Sequence, residues 1–292
     1  MNDAIGEHAP AKVNLALHVT GRRADGFHLL DTLVVFAEAG DRIHAAPAES
    51  DGFAVSGPFG PGVPAGGDNL VVKARDLLRG IAGENAFPVR IALQKNLPAA
   101  SGIGGGSSDA AATLRALARL WSLPLLPGEL AGVALRLGAD LPMCLAARAL
   151  RARGIGEDLT PAPGLPVIDM VLVNPGVAVA TPAVFAKLPS RDNPPLALLP
   201  ATPGFAALVD WLAAARNDLE APAVAVAPEI AGCLAALRQG GAALARMSGS
   251  GATCFGLYPS PAEAARAAEK IAAAQPSWYV RATRTVDKEA SP

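Results

Sequence analysis

The sequence predicts an α+β protein of two domains, and three observations carry this prediction. The 292 residues suit two domains of about 150 residues, each long enough to bury a core. Stretches with period-two apolar alternation are interleaved with alanine-rich stretches of helical period. Pro161, Pro163 and Pro166 mark a boundary between the halves. We therefore expect one domain over residues 1–160 and a second over 161–292.

The first half begins with strand patterns. Alternating apolar residues predict a strand over 9–20, and a polar loop with an Asp-Gly turn follows at 22–28. Asp68 or Asn69 suits the N-cap of a helix that runs to about Ile81. The other elements predicted in this half are strands at 29–36, 41–46, 86–94 and 148–153 and helices at 110–121 and 127–136.

The second half alternates strand patterns with alanine-rich helical patterns, which is typical of layered α+β structure. The predicted strands lie at 167–173, 243–247, 252–258 and 278–285. The predicted helices lie at 205–216, 228–239 and 260–274.

Composition excludes several classes of protein. With 51% apolar residues, 17% charged residues and a formal net charge of −1, the chain is not intrinsically disordered. The near-zero net charge argues against a protein held broadly to nucleic acid, since such proteins neutralise many phosphates with Lys and Arg. A small phosphorylated ligand needs only a few groups in one place, so it remains possible.

Cysteine usage and hydropathy predict a cytoplasmic protein. Cys144, Cys233 and Cys254 are odd in number, distant in sequence and without metal-ligand spacing, so we expect buried thiols in a reducing compartment. The uncharged stretch from Met170 to Ala186 is interrupted by proline and glycine, which predicts a strand, a turn and a helix start and no membrane span. The N-terminus shows no signal-peptide pattern.

A glycine-rich segment, PAASGIGGGSSDAA at 98–111, leads directly into a predicted helix. Glycines let the backbone take positive φ and approach a ligand closely, and successive N–H groups at a helix start favour an anion. A flexible turn with a Ser or Asp N-cap is the alternative. The segment matches neither the Walker nor the Rossmann consensus motif, so it predicts phosphate binding of another kind. Ser107 and Ser108 are the candidate hydrogen-bond donors or metal ligands.

Three further residues are unusual for their surroundings. Lys12 interrupts an apolar strand, Asp140 lies between small and apolar residues, and Phe27 is at the tip of the polar loop RRADGFH. Each also has an ordinary explanation: a lysine whose stem follows apolar surface, an aspartate helix cap and loop packing.

Several motifs together resemble the GHMP kinases, the family of galactokinase and of homoserine, mevalonate and phosphomevalonate kinases. In chain order they are PAKVNLALHVTGRRADGFHLLD at 10–31, PAASGIGGGSSDAA at 98–111, GADLP at 138–142, GIGE at 154–157 and SGSGATC at 248–254. The extra glycine before Ser107 and the Asp109 that follows resemble the members that act on a cytidylyl substrate. The segment NDLE at 217–220 also matches, and the resemblance assigns it no role.

The resemblance implies both a fold and a reaction. The fold is the two-domain GHMP α+β architecture, with an N-terminal domain like domain 2 of ribosomal protein S5 and a ferredoxin-like C-terminal domain. The active site is expected in the cleft between the domains. The reaction is transfer of the γ-phosphate of ATP to the 2-hydroxyl of 4-diphosphocytidyl-2-C-methyl-D-erythritol, in the non-mevalonate route to isoprenoid precursors. Asp140 is the implied general base, and a nearby Lys12 stabilises its carboxylate and lowers the pKa of the attacking alcohol.

The resemblance also implies two sets of binding residues. Those for ATP are Asn69, Lys95, Pro98, Ala99, Ala100, Ser101, Gly102, Ile103, Gly104, Gly105, Gly106, Ser107 and Ser108. Those for the substrate are Asn14, Phe27, His28, Phe185, Ser248, Gly249, Ser250 and Gly251. In this scheme Phe27 and Phe185 stack on the two faces of cytosine, and His28 hydrogen-bonds to the base edge. For Asn69, a helix N-cap is an alternative that is compatible with nucleotide contact.

ATP chemistry further implies Mg²⁺, although no carboxylate cluster identifies its ligands. The expected partners are ATP and the small-molecule substrate, with no nucleic acid and no membrane, and the expected state is a monomer or weak homodimer. Three alternatives remain: another GHMP kinase such as homoserine kinase, a non-catalytic member that keeps the phosphate loop as a binding module, and a nucleic-acid-binding protein. The presence of both Lys12 and Asp140 argues against the second, and the neutral charge argues against the third.

Overall fold

The computed structural model describes residues 4–99 and 101–286. Its strands are β1 (Ile5–Arg22), β2 (His28–Pro47), β3 (Gly52–Ser56), β4 (Val89–Gln94), β5 (Leu150–Gly154), β6 (Asp158–Pro161), β7 (Asp169–Asn174), β8 (Leu244–Met247), β9 (Cys254–Tyr258) and β10 (Tyr279–Arg284). Its helices are α1 (Leu70–Ala82), α2 (Gly105–Leu120), α3 (Pro127–Leu135), α4 (Leu141–Ala146), α5 (Thr181–Ala186), α6 (Phe205–Ala214), α7 (Glu220–Val226), α8 (Glu229–Gln239) and α9 (Pro261–Ala274), with a 3₁₀ turn at Gly83–Asn85.

The chain forms two compact units, and neither is continuous in sequence. Unit 1 contains the residues up to Ala11, Gly40–Ala99 and Gly104–Ala146; unit 2 contains the rest. β1 pairs with β2, and the division between the units falls within both strands. Because both units combine separate stretches of the chain, they do not test a single boundary in the sequence, and the domain boundary near residue 160 stays a prediction.

Unit 1 is a sheet covered by helices. The second half of β2 is antiparallel to β4, with Arg42 opposite Gln94, and β3 lies parallel to β4. Helix α2 packs on α1 and α4. Alternate residues of β4 are buried because a strand presents successive side chains to opposite faces. The core between the sheet and helices includes Ile43, Leu78, Ile91, Leu93, Leu114, Leu117 and Trp121.

Unit 2 contains an antiparallel sheet of strand order β10-β7-β9-β8. Helices α8 and α9 pack against it. The first half of β2 pairs with β5, and β5 pairs with β6. The core of this unit includes Val171, Val173, Ile230, Leu237, Met247, Tyr258 and Ile271. All three cysteines are buried thiols, as predicted, whereas the reducing compartment stays a prediction.

The break predicted between strands at 29–36 and 41–46 is wrong, because β2 continues through it. Gly40 permits this: a Cβ there would lie 2.5 Å from the Ala9 carbonyl oxygen and 2.9 Å from Pro10 Cα. Glycine here allows close approach of two strands and does not end one. Helix α2 likewise begins five residues earlier than predicted, within the glycine run.

Candidate active site

The start of α2 in unit 1 has the backbone geometry of an anion site. Gly104 precedes the helix in the left-handed conformation (φ 65°), and Ser108 N donates to Gly104 O. The amides of Gly105, Gly106 and Ser107 belong to the first turn, whose N–H groups have no partners inside the helix. The first turn carries no acidic side chain. The geometry suits a phosphate group.

Beneath this first turn lies a buried triad of Asp41, Lys95 and Asp109. The Lys95 ammonium donates to Asp109 Oδ2 at 2.9 Å and also to Asp41 Oδ2. Asp41 Oδ1 accepts from the backbone N of Leu97 at 2.8 Å. All three side chains are almost completely buried. A Cβ on Gly105 would lie 3.0 Å from Lys95 Nζ, so the triad supports the helix start directly.

Burial dominates the electrostatics of the triad. It raises the pKa of Asp109 to about 8, a rise that Asp41 reinforces and Lys95 opposes. The two carboxylates raise the pKa of Lys95 against the effect of its burial. Near pH 7 Lys95 is therefore charged and Asp109 protonated. The predicted contact of Lys95 with the nucleotide stays a prediction.

In unit 2, the first motif meets two glycine-rich loops. Lys12 is buried in β1, and its backbone N donates to Ile103 O at 2.9 Å. Asn14 N donates to Ser248 Oγ at 3.0 Å, and Ser248 Oγ donates to Gly102 O at 3.1 Å. A Cβ on Gly102 would lie 2.6 Å from the carbonyl oxygens of Ser248 and Gly251. The backbone N–H groups of Lys12 and Asn14 thus bind segments of the second and third motifs, which also contact each other.

A cavity of about 730 Å³ lies in unit 2 beside the RRADGFH loop. Phe27 is 59% exposed on this loop. The His28 ring stacks on Phe185 with 4.4 Å between centroids and 24° between planes. Because His28 occupies one face of Phe185, only the remaining surface of that ring is open to a ligand. The full lining is Arg22, Asp25, Gly26, Phe27, His28, Leu30, Ile155, Thr181, Pro182, Phe185, Ala186 and Arg191.

Two arginines of this lining were missed by sequence reasoning. Burial lowers the pKa of His28, and the charges of Arg22 and Arg191 lower it further. The imidazole is therefore neutral at pH 7, with one ring nitrogen able to accept a hydrogen bond. Arg22 could have been found from its place in the RRADGFH motif. Arg191 lies in a segment without regular structure, and no sequence pattern marked it.

Buried polar atoms without a partner support the predicted substrate contacts. Among the described residues, four buried side-chain polar atoms have no hydrogen-bond partner: Asn14 Oδ1, His28 Nε2, Asp109 Oδ1 and Glu263 Oε2. Two of these belong to predicted substrate-binding residues. Since buried polar groups are normally paired, Asn14 and His28 have capacity that a ligand can fill.

Asp140 immediately precedes α4 in unit 1, and its backbone oxygen accepts from Cys144 N. Arg115 of α2 donates to the carbonyl oxygens of Cys144 and Leu145 at the end of α4, and to His8 O at 2.6 Å. These bonds fix α4, the helix that Asp140 immediately precedes. The predicted pairing of Asp140 with Lys12 stays a prediction.

The remaining residues predicted to bind ATP differ in whether their side chains are buried or already hydrogen-bonded within the protein. Asn69 caps α1, accepting from Val71 N and donating to Pro64 O, so the N-cap interpretation is confirmed. Ser108 Oγ donates to Pro10 O at 2.6 Å, whereas the Ser107 side chain is half-buried. Pro98 and Ser101 are buried and Ala99 is exposed. Ala100 lies outside the described residues.

Comparison with known proteins decides the family. Family models for the N-terminal and C-terminal domains of GHMP kinases match residues 69–148 and 199–277. A 4-diphosphocytidyl-2-C-methyl-D-erythritol kinase from Mesorhizobium japonicum is 55% identical over 284 residues, which cover 97% of this chain and 96% of that protein. The chain belongs to the GHMP kinase family. A kinase of the same name from Rhizobium johnstonii is 57% identical over 287 residues, covering 97% and 94% of the two chains.

Solved GHMP kinase structures agree. A crystal structure of a 4-(cytidine 5'-diphospho)-2C-methyl-D-erythritol kinase matches with a TM-score of 0.78 and 37% identity, covering 97% of this chain and all of that one. A homoserine kinase from Cytophaga hutchinsonii shares the fold, with a TM-score of 0.69 at 18% identity, covering 98% and 95% of the two chains. The predicted α+β GHMP kinase fold is confirmed. In the described residues, no helix combines the length and apolar character needed to cross a membrane.

Proposed function

We propose that this GHMP kinase transfers the γ-phosphate of ATP to the 2-hydroxyl of 4-diphosphocytidyl-2-C-methyl-D-erythritol, in the non-mevalonate route to isoprenoid precursors. The observation that carries the proposal is the identity of 55% and 57%, over nearly the full chain, with kinases named for that substrate. The aromatic cavity with its unsatisfied histidine nitrogen supports the same substrate.

Phosphate binding at the start of α2 is the first part of the proposed mechanism. The ATP phosphates would accept from the first-turn amides, where glycine leaves the backbone accessible. Ser107 is better placed than Ser108 to donate to a phosphate oxygen, because the Ser108 hydroxyl is engaged by Pro10 O. Phosphoryl transfer depends mainly on such positioning and on neutralising the charge that develops.

Asp140 and Lys12 are the proposed catalytic pair. Asp140 would accept the proton of the attacking hydroxyl, and the buried Lys12 ammonium would stabilise the resulting negative charge. The bonds from Arg115 to the end of α4 support this role, because a general base must be held at a fixed position.

The cytidylyl group would bind in the cavity of unit 2. Phe27 has the exposed aromatic face that base stacking requires, and such stacking is worth about 1–3 kcal/mol per base. Neutral His28 offers an acceptor at Nε2, which suits the exocyclic amine of cytosine, if its proton is on Nδ1. Asn14 Oδ1 would accept from a substrate hydroxyl.

Mg²⁺ would arrive with ATP, where it neutralises phosphate charge. Among residues 4–99 and 101–286 there is no group of three or more His, Cys, Asp or Glu side chains able to hold a metal. The backbone N–H groups at the start of α2 suit the phosphates of ATP, because N–H groups bind anions and do not ligate Mg²⁺. Ser107 is the candidate protein ligand, and phosphate oxygens and water would supply the remainder.

The proposal also includes the domain boundary, the cellular compartment and the oligomeric state of the protein. Residues 1–160 and 161–292 would be the two family domains, since the matched models fall on either side of that boundary. The buried thiols suit a reducing cytoplasm. The protein would act as a monomer or weak homodimer on small molecules, without nucleic acid.

A coupled ADP-release assay tests the proposal. ATP is supplied with the cytidylyl substrate, with homoserine or with mevalonate, and acceptor-dependent ADP release is measured. We expect turnover with the cytidylyl substrate alone. Turnover with only homoserine or only mevalonate would overturn the substrate assignment while leaving the kinase family intact.

A further inference from the structure

The segment NDLE at 217–220 is attached to β1 within unit 2. Leu17 N donates to Arg216 O at 2.8 Å, and Asp218 N donates to Leu17 O at 2.9 Å. The Asp218 carboxylate accepts from Val19 N at 2.8 Å. The segment between α6 and α7 is therefore fixed to the strand that also carries Lys12 and Asn14.

On its other side, the segment holds the third-motif loop, Ser248–Gly251. Asn217 Nδ2 donates to Met247 O at 2.8 Å and to Gly249 O at 2.9 Å. Glu220 Oε2 accepts from Met247 N at 2.8 Å. Asn217 is 8% exposed, so these bonds are sheltered from water. Two side chains thus fix three backbone groups that flank Ser248.

Two glycines of this loop take the left-handed conformation. Gly249 and Gly251 have φ of 56° and 88°, and a Cβ on Gly249 would lie 2.9 Å from Gly102 O. Glycine is needed at Gly249 for both reasons, yet glycine also leaves the backbone with the greatest conformational freedom. The bonds from Asn217 and Glu220 restrict that freedom, and they add to the bonds that Ser248 makes with Asn14 and Gly102.

The bonds also set the direction of one peptide. In a trans peptide the carbonyl and N–H point in opposite directions, so fixing Gly249 O on Asn217 turns the Ser250 N–H away from it. The Ser250 hydroxyl is 2.8 Å from the Thr181 hydroxyl, and Thr181 lines the substrate cavity. Ser250 is the point at which the held loop meets the cavity.

We infer that Asn217 and Glu220 are positioning residues that hold the loop so that the Ser250 N–H and hydroxyl bind the diphosphate of the substrate. This inference rests on the proposed function, since it takes the cavity to hold a cytidine diphosphate ester. Neither residue touches the substrate, and both act through the loop.

Asn217→Asp tests the role, because it keeps the Oδ1 acceptor for Leu219 N and removes the two donated hydrogen bonds. We expect KM for the cytidylyl substrate to rise about tenfold while KM for ATP changes less than about twofold. Asp218→Asn is the matched control, since its amide oxygen can still accept from Val19 N of β1 and Asp218 makes no described bond to the loop. It should leave both KM values within about twofold of wild type.

Glu220 gives a second test that does not depend on the folding of Asn217→Asp. Glu220→Gln keeps an acceptor for Met247 N and should retain the wild-type KM, whereas Glu220→Ala should raise it for the cytidylyl substrate alone. Folded Asn217→Asp and Glu220→Ala proteins with unchanged KM values, or with equal rises for both substrates, would overturn the inference. A wild-type protein inactive on the cytidylyl substrate would instead overturn the proposed function.

Discussion

Asp140 is the residue on which the proposed chemistry depends most. Asp140→Ala and Asp140→Asn should lower kcat by roughly 10²–10⁴-fold, because the attacking hydroxyl loses its proton acceptor. ATP affinity should change little, since the proposed phosphate site is the start of α2 and not Asp140. Steady-state assays and calorimetric ATP titration check both statements, with the exposed Asp158→Asn as a charge-matched control. Full activity in a folded Asp140→Ala protein contradicts the assignment.

Phe27 is the residue that should separate substrate from nucleotide. Removing its exposed ring should raise KM for the cytidylyl substrate roughly tenfold, through lost stacking, and leave KM for ATP unchanged. The measurement is steady-state kinetics on Phe27→Ala beside Leu126→Ala, which removes another exposed apolar side chain, in the turn before α3. Equal effects of Phe27→Ala on both substrates would exclude stacking.

Asp109 should make stability depend on pH. Its pKa is raised to about 8 in the folded protein, first by burial, and returns to about 4 in the unfolded chain. Between these values the folded state holds a proton that the unfolded state has released. The free energy of unfolding therefore falls as pH rises from about 4 to 8 and is level above that range.

Denaturant unfolding at pH 5.5, 6.5 and 7.5 checks this for wild type and Asp109→Asn. We expect the stability of wild type relative to the variant to decline across the series, because asparagine does not titrate. Parallel pH dependence in the two proteins would show that Asp109 ionises normally in the fold.

At the scale of elements, the glycine-rich loop could be predicted from the sequence, whereas the buried triad of Asp41, Lys95 and Asp109 beneath it could not. The glycine-rich sequence of residues 98–111 predicted a phosphate site at the start of a helix, and α2 begins within this segment. Sequence also located Lys95, but not its partners, because Asp41 lies 54 residues away and reaches it only through the pairing of β2 with β4. Long-range polar contacts of this kind leave no local pattern.

Gly105→Ala tests the connection between the triad and α2. Its Cβ would press against Lys95 Nζ, which two carboxylates hold in place. We expect KM for ATP to rise several-fold as the first turn shifts. Gly80→Ala in α1 is the control, because its Cβ meets nothing within 4 Å. The control should keep normal kinetics and gain about 0.5–1 kcal/mol of stability.

Unchanged kinetics in Gly105→Ala would show that the triad does not position the helix start. A rise in KM for ATP in Gly80→Ala as well would show that the kinetics respond to any helix glycine substitution. Either result would contradict the claim that Lys95, 3.0 Å from a Cβ on Gly105, positions the start of α2.

At the scale of the whole molecule, the fold class and most elements followed from periodicity and capping residues. The errors came where tertiary contact overrides local pattern, as at Gly40, where a strand continues because β1 approaches closely. Short elements such as β3, β6 and α7 escaped prediction because a few residues carry too little periodicity. Function required the joint order of several motifs, since each alone has an ordinary structural explanation.

The most direct test of the proposed activity is identification of the product. The wild-type protein is incubated with ATP and the cytidylyl substrate, and the product is examined by mass spectrometry and ³¹P NMR. The proposed function predicts one added phosphoryl group, present as a monoester on the 2-hydroxyl, with the diphosphate bridge intact. A monoester on another hydroxyl, cleavage of the diphosphate, or no phosphorylated product would contradict it.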